Sequence, residues 1–278
     1  MLGKNKKIIL ALSIPLGLLT ILVSLTGLLS SNLYSVETPN WRAQSIGQDM
    51  IDLFLVVPCL FTSAILAFKK GKFSFLIWGG VVIYLTYTFT LYCFDLHFNK
   101  LFAVYCFCLG ISFYSSLYFL FTIRNNNRQD IESSKLLRLV GIYFISISVL
   151  FTYLWLSEII TSITNNVIPK SLSDTGLFTN GVQVIDLSVI LPGIFISGVL
   201  ILKRKTFGIQ LSPAFLTFFI LMDITIGFLV IVMKLLGLES NLSITIGMSF
   251  LMLLSMVLLI WVSKFLYPKE QKSNIIQK

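Results

Sequence analysis

The chain reads as an all-α transmembrane protein, an eight-helix bundle built from two parallel four-helix repeats. Three observations predict this. Hydrophobic residues make up 56% of the chain against 12% charged, and they come in long runs rather than periodic stripes. Lys and Arg crowd onto alternate connections between those runs. One stretch also occurs twice: Gly47 to Pro58 returns 134 positions later as Gly181 to Pro192, and between 47 and 73 it matches at 10 of 27 positions without a gap. Self-similarity at a fixed offset means that each copy forms the same supersecondary unit.

A helix crosses the hydrocarbon core in ~20 apolar residues. The runs fall at about 8–30, 50–68, 73–94, 101–123, 139–162, 182–202, 211–233 and 242–263. The longest connections, about 31–49 and 163–181, leave no room for a soluble domain. The first run follows Lys4, Lys6 and Lys7 and resembles a signal sequence. Its apolar part is longer than a cleavable one, and Ser30, Ser31 and Asn32 give no small-x-small site. It reads as a retained span. The offset pairs spans one to four (residues 1–138) with spans five to eight (139–278). Four is an even number, so the halves share an orientation and a pseudo-two-fold axis along the membrane normal.

Seventeen Lys and Arg lie on one side: Lys4, Lys6, Lys7, Lys69, Lys70, Lys72, Arg124, Arg128, Lys135, Arg138, Lys203, Arg204, Lys205, Lys264, Lys269, Lys272 and Lys278. Four lie on the other, Arg42, Lys100, Lys170 and Lys234. The positive-inside bias places both termini in the cytoplasm. The net charge of +9 is topology information with attraction to anionic lipid, not a nucleic-acid signal. Acids show the opposite bias. Only Asp130, Glu132 and Glu270 are cytoplasmic, while Glu37, Asp49, Asp52, Asp95, Glu158, Asp174, Asp186 and Glu239 collect at the outer side.

The second and sixth spans carry the repeated acids and prolines. Asp52, Cys59 and Ser63 share a helical face, as do Asp186, Gly193 and Ser197, with Asp49 and Gln183 one turn outward. Two readings stand. The carboxyls of Asp52 and Asp186 receive protons or cations at the mouth of a central cavity, or each lies at a helix N-terminus whose N–H groups favour an anion. Pro58 and Pro192 remove the bonds to the carbonyls of Phe54 and Ser188 and are expected to kink both helices.

The third span is rich in hydroxyls, and Tyr84, Thr88, Tyr92 and Asp95 form one stripe on it. Such a stripe lines a wet cavity, or serves as interface anchor and backbone partner. Cys106 and Cys108 in the fourth span point to different sides. In the fifth, Glu158 follows Tyr153 and Trp155, either beside an aromatic belt or as a further acid of the cavity. The seventh span holds Asp223 near its centre, where a charge costs at least ~2.5 kcal/mol and where such residues face the bundle interior. No Lys or Arg sits at matching depth, which favours the neutral carboxyl. Its counterpart in the first half is Phe89, so any role for it is asymmetric.

Absent residues exclude much. The lone histidine, His97, cannot build a multi-histidine metal site, and no nucleophile motif accompanies it. The four cysteines form no C-x-x-C pair, and no phosphate-binding glycine loop is present. No cofactor and no metal site are expected.

Gly47 to Pro58, the Tyr-rich helix ending at Phe98 to Phe102, and Val182 to Pro192 together resemble a bacterial family of multi-spanning integral membrane proteins without assigned activity. That resemblance implies a bacterial plasma-membrane location.

The expected function is binding or transport of a small polar or cationic solute, proton-coupled through Asp223 and the Asp52/Asp186 pair. The alternatives are a non-transporting accessory or sensory component that binds a membrane-protein partner, and a lipid-modifying intramembrane enzyme. The expected surroundings are the lipid bilayer, with no nucleic acid.

Overall fold

The computed structural model describes residues 6–69, 71–124 and 135–266. Both termini lie outside these, as do Lys4, Lys70, Arg128, Asp130, Glu132, Lys269, Glu270, Lys272 and Lys278. Every described element is a helix. Eight of them are long and apolar enough, by length and composition, to cross a membrane. In chain order they are α1 (Lys6–Leu29), α2 (Pro39–Lys69), α3 (Lys72–Phe94), α4 (Phe102–Arg124), α5 (Lys135–Asn165), the short α6 (Lys170–Thr175), α7 (Gly181–Leu202), α8 (Thr206–Leu235) and α9 (Leu242–Leu266). The connections α1–α2, α3–α4, α5–α7 and α8–α9 meet at what we call the acidic end, and the others at the basic end.

Helix α2 begins eleven residues before the apolar run that announces it. Its N-cap is Thr38, whose side chain accepts from the Trp41 N–H at 3.2 Å, with Pro39 at the first helical position. A capping hydroxyl and a pre-set φ are the ordinary signals for a start. The segment to Ile51 is too polar to be read as part of a span. The expected long loop 31–49 is therefore mostly helix. Helices α5 and α8 also run a few residues beyond their apolar cores at both ends.

Both repeated prolines, expected to kink their helices, sit behind a π turn. The Val57 N–H reaches back to the Asp52 carbonyl, and the Leu191 N–H to the Asp186 carbonyl, each five residues away. A proline ring crowds the carbonyl four residues back and offers no N–H. Widening the preceding turn by one residue relieves the crowding and keeps the helix continuous. The widened turn also shifts the register. Fully buried Leu60 and its counterpart Ile194, rather than Cys59 and Gly193, continue the faces of Asp52 and Asp186.

Helices α3 and α8 are the most deeply buried and pack against each other at the centre. Gly80 makes the crossing close, because a Cβ there would collide with the Ala214 carbonyl oxygen. Around this pair, α2 and α4 pack on α3 and α1 packs on both of them, while α7 and α9 flank α8 and α5 packs on α7. Aromatic rings fill the space between α3, α5 and α8. Tyr87 meets Phe218 at 5.9 Å, and Phe144 meets Phe219 at 5.4 Å. Helix α9 buries least, and its contacts are mainly with α8.

Candidate functional site

The acidic end encloses a chain of buried polar groups that begins on the repeated segment. Asp49 is fully buried and accepts two phenols, Tyr34 at 2.7 Å and Tyr92 at 2.8 Å, one on each carboxyl oxygen. Tyr34 comes from the α1–α2 connection. Burial, with Asp49 beside it, holds its phenol well above the ordinary range, so it stays a donor. One turn along, Asp52 is 2% exposed and accepts from the Gln48 amide at 3.0 Å. The same amide nitrogen lies 2.8 Å from the Tyr84 hydroxyl, which bonds Thr225 of α8 at 2.8 Å. Gly27 of α1 allows the close approach, since a Cβ there would collide with the Asp49 carboxyl. The network thus runs from the α1–α2 connection through α2 and α3 to α8.

Asp52 stands behind thirteen helical residues of α2, so no free helix N-terminus accounts for it. The N-terminal reading survives only in part for Asp186, which follows the five residues Gly181 to Ile185 and the Asn180 cap. Asp186 is partly buried and accepts from the Trp155 indole at 2.9 Å. Trp155 therefore turns inward, where a place in an interface belt had been expected. The neighbouring acid Glu158 accepts from the Gln183 amide at 2.7 Å and from the Ser171 N–H at 3.3 Å. Gln183 is the counterpart of Asp49, so each copy ties this position to a different partner.

The hydroxyl stripe of α3 divides. Tyr84, Thr88 and Tyr92 are all buried; Tyr84 and Tyr92 reach the α2 acids. Asp95, one turn further, turns instead to the start of α7, where a Cβ on Gly181 would collide with its carboxyl. Its backbone carbonyl accepts the Trp41 indole at 2.8 Å. Burial pushes the Asp95 carboxyl up to about 6, with the Gly181 N–H pulling the other way.

Asp223 is 8% exposed, and its Oδ2 has no hydrogen-bond partner. It lies within electrostatic reach of Tyr143, which bonds Ser255 of α9 at 2.8 Å. The three acids singled out together therefore have separate partners: Asp52 the Gln48–Tyr84–Thr225 chain, Asp186 the Trp155 indole, and Asp223 the α5–α9 side of α8. A cavity of about 760 Å³ opens between the ends of α5 and α7, lined by residues such as Ser162, Asn166, Leu172, Asn180, Gln183 and Val184, and none of the three acids lines it.

Sequence reading did not single out Tyr34, Gln48, Tyr87 and Thr225, and it read Trp155 as part of an aromatic belt. Gln48 sits inside the repeat and Tyr87 inside the hydroxyl-rich helix, so both were within view. Tyr34 carried no signal, and nothing in the spacing tied Trp155 to Asp186, because only the chain path brings them to their acids. Among the described residues no group of three or more His, Cys, Asp or Glu is placed to hold a metal ion.

Fold and site together define an all-helical protein with eight helices apolar and long enough to cross a membrane and a buried acidic–phenolic network. The chain matches no protein-family model, no curated protein and no solved structure.

Proposed function

We propose that the protein binds a small polar or cationic solute between its two four-helix halves, residues 1–138 and 139–278, and moves it across the membrane with protons. Asp49 and Asp52 are the principal acids of the site. One observation carries this reading. Two carboxyls one turn apart are enclosed with phenols, an amide and a hydroxyl, and among the described residues no basic side chain forms an ion pair with either. A carboxylate in that position is costly without a positive partner, and a proton or a cationic solute supplies one.

Three further observations support parallel repeats. The π turn recurs at the equivalent position of each copy. Contacts are also exchanged between halves, since α2 packs on α8 while α7 packs on α3. The central helices α3 and α8 start at equivalent residues, Lys72 and Thr206. π turns are frequent at functional sites, and the pair offers each half a place to bend during a cycle. The basic bias supports a cytoplasmic side for the basic end and both termini, in a plasma membrane.

Purified protein in liposomes with an imposed pH gradient tests this. Uptake of a cationic solute or a change in internal pH is expected, and Asp52→Asn should abolish it while leaving the melting temperature near wild type. Unchanged flux in that variant overturns the reading. One observation favours a non-transporting accessory role instead: the complete burial of Asp49, which suits a static structural acid. Absent flux together with a stoichiometric membrane partner on purification would establish that role.

A further inference from the structure

The basic end of the second half carries a cluster of unpaired cations. Helices α5 and α7 run antiparallel and cross closely there, because Gly141 meets Gly198: a Cβ on Gly141 would collide with the Leu202 side chain, and one on Gly198 with the Gly141 carbonyl oxygen. The crossing sets the first turn of α5, with Lys135 and Arg138, beside the turn that follows α7, with Lys203, Arg204 and Lys205. All five residues are exposed. The turn itself is fixed. Its N–H groups at Lys203, Arg204 and Lys205 donate to the carbonyls of Val199, Ile201 and Leu200 at 2.9, 2.9 and 2.8 Å. Arg204 takes the left-handed conformation, φ 56°, that a helix end ordinarily gives to Gly.

Among the described residues no acid lies at this end, and none of the five cations forms an ion pair. Five like charges on one helix pair repel one another, and an anion between them removes that cost. The surface just inward tells which anion. Leu139 and Ile142 of α5 and Leu202 of α7 are all exposed. Cations at the end of an apolar helix pair, with aliphatic side chains bare beneath them, match an amphiphile that joins a negative headgroup to hydrocarbon. Basic sites between spanning helices bind phospholipid headgroups in this way. Free phosphate would use the charges and leave the aliphatic surface uncovered.

We propose that Lys135, Arg138, Lys203, Arg204 and Lys205 bind the phosphate headgroup of an anionic phospholipid, whose chains lie against Leu139, Ile142 and Leu202. The lipid ties the start of α5 to the α7–α8 turn, and so braces the central helix α8 where it begins. The site rests on the basic end lying at a bilayer surface and is independent of transport.

The test is thermal unfolding of the full chain in nanodiscs of phosphatidylcholine, pure or mixed with increasing phosphatidylglycerol. The anionic lipid should raise the melting temperature, as a ligand of the native state does. Arg138→Gln combined with Lys203→Gln should weaken its apparent affinity about thirtyfold, the effect of two surface cations. Lys69→Gln combined with Arg124→Gln removes two exposed, unpaired cations from the same end of the first half, and should leave the shift nearly intact. Equal losses in the two double variants overturn the site in favour of diffuse surface charge. Equal melting with and without phosphatidylglycerol overturns it outright. Inorganic phosphate added in detergent should give no comparable shift; one that Arg138→Gln with Lys203→Gln removes overturns the lipid as the occupant. A chain that does not enter nanodiscs overturns the membrane placement and the site with it, whereas absent flux in liposomes overturns transport alone.

Discussion

The two copies of the repeated segment share a backbone and differ in what surrounds them. In the first, α2 extends far beyond its apolar run, and both acids are enclosed by α1, α3 and α8 and the tyrosine of the α1–α2 connection. In the second, α7 starts five residues before Asp186, and that acid is only partly buried. Gln183 replaces Asp49 and ties down Glu158 rather than receiving phenols. The acid–π turn–proline unit is a local property, because a proline's steric demand reaches only four residues back. The state of the acid is not local. It depends on which helices close over it, and α4 packs on α1 more fully than α9 packs on α5.

Breaking the contrast at its strongest point should give the largest effect. Asp49→Ala strands two buried phenols and should destabilise the protein by about 3 kcal/mol, whereas Gln183→Ala removes one bond from Glu158, which keeps Ser171, and should cost about 1 kcal/mol. Detergent unfolding of both variants measures the difference. Equal losses would show that the two copies are buried alike in the membrane.

The contact between the halves has a pH signature. The Asp95 carboxyl is raised from 3.8 to about 6, so the folded state holds its proton more tightly than the unfolded state does. The stability this adds is fully present below about 3.8 and is lost as pH rises through about 6. Wild type should therefore lose a few degrees of melting temperature between pH 4 and 7 relative to Asp95→Asn. Parallel pH profiles for the two proteins would remove burial as the cause.

Smaller effects probe the shared backbone. Pro58→Ala and Pro192→Ala each supply an amide and remove the ring that widens the turn. Hydrogen exchange should slow over residues 54–58 and 188–192 alike, with stability changed by less than ~1 kcal/mol. A response in one copy only would mean that tertiary contacts, rather than proline, impose that copy's π turn. Lys170→Ala, at an exposed ion pair, should leave stability unchanged.

Much of the candidate site was legible in the chain and some was not. Asp49, Asp52, Asp95 and Asp186 stood out because acids are rare in apolar surroundings, and Tyr84, Thr88 and Tyr92 because hydroxyls recur at helical spacing. Their grouping was not legible. Asp95 lies on the same predicted stripe as Tyr84, yet it serves the start of α7. Asp223 looked like the strongest chemical clue, yet it stands apart from the α2 acids, on the other side of α8. Helix faces follow from spacing, but which helix meets which face depends on packing across long sequence separations.

The sequence by itself determined eight apolar helices, the basic and acidic ends, and a duplicated acid-and-proline unit. These rest on hydrocarbon thickness, side-chain charge and the geometry of one proline, all of them local. Only the tertiary structure decided that α3 and α8 form the centre, that Tyr34 and Tyr92 clamp Asp49, and that Asp95 and Tyr87 meet α7. Those facts depend on close approach at residues such as Gly80 and Gly181, where a missing Cβ lets distant segments touch.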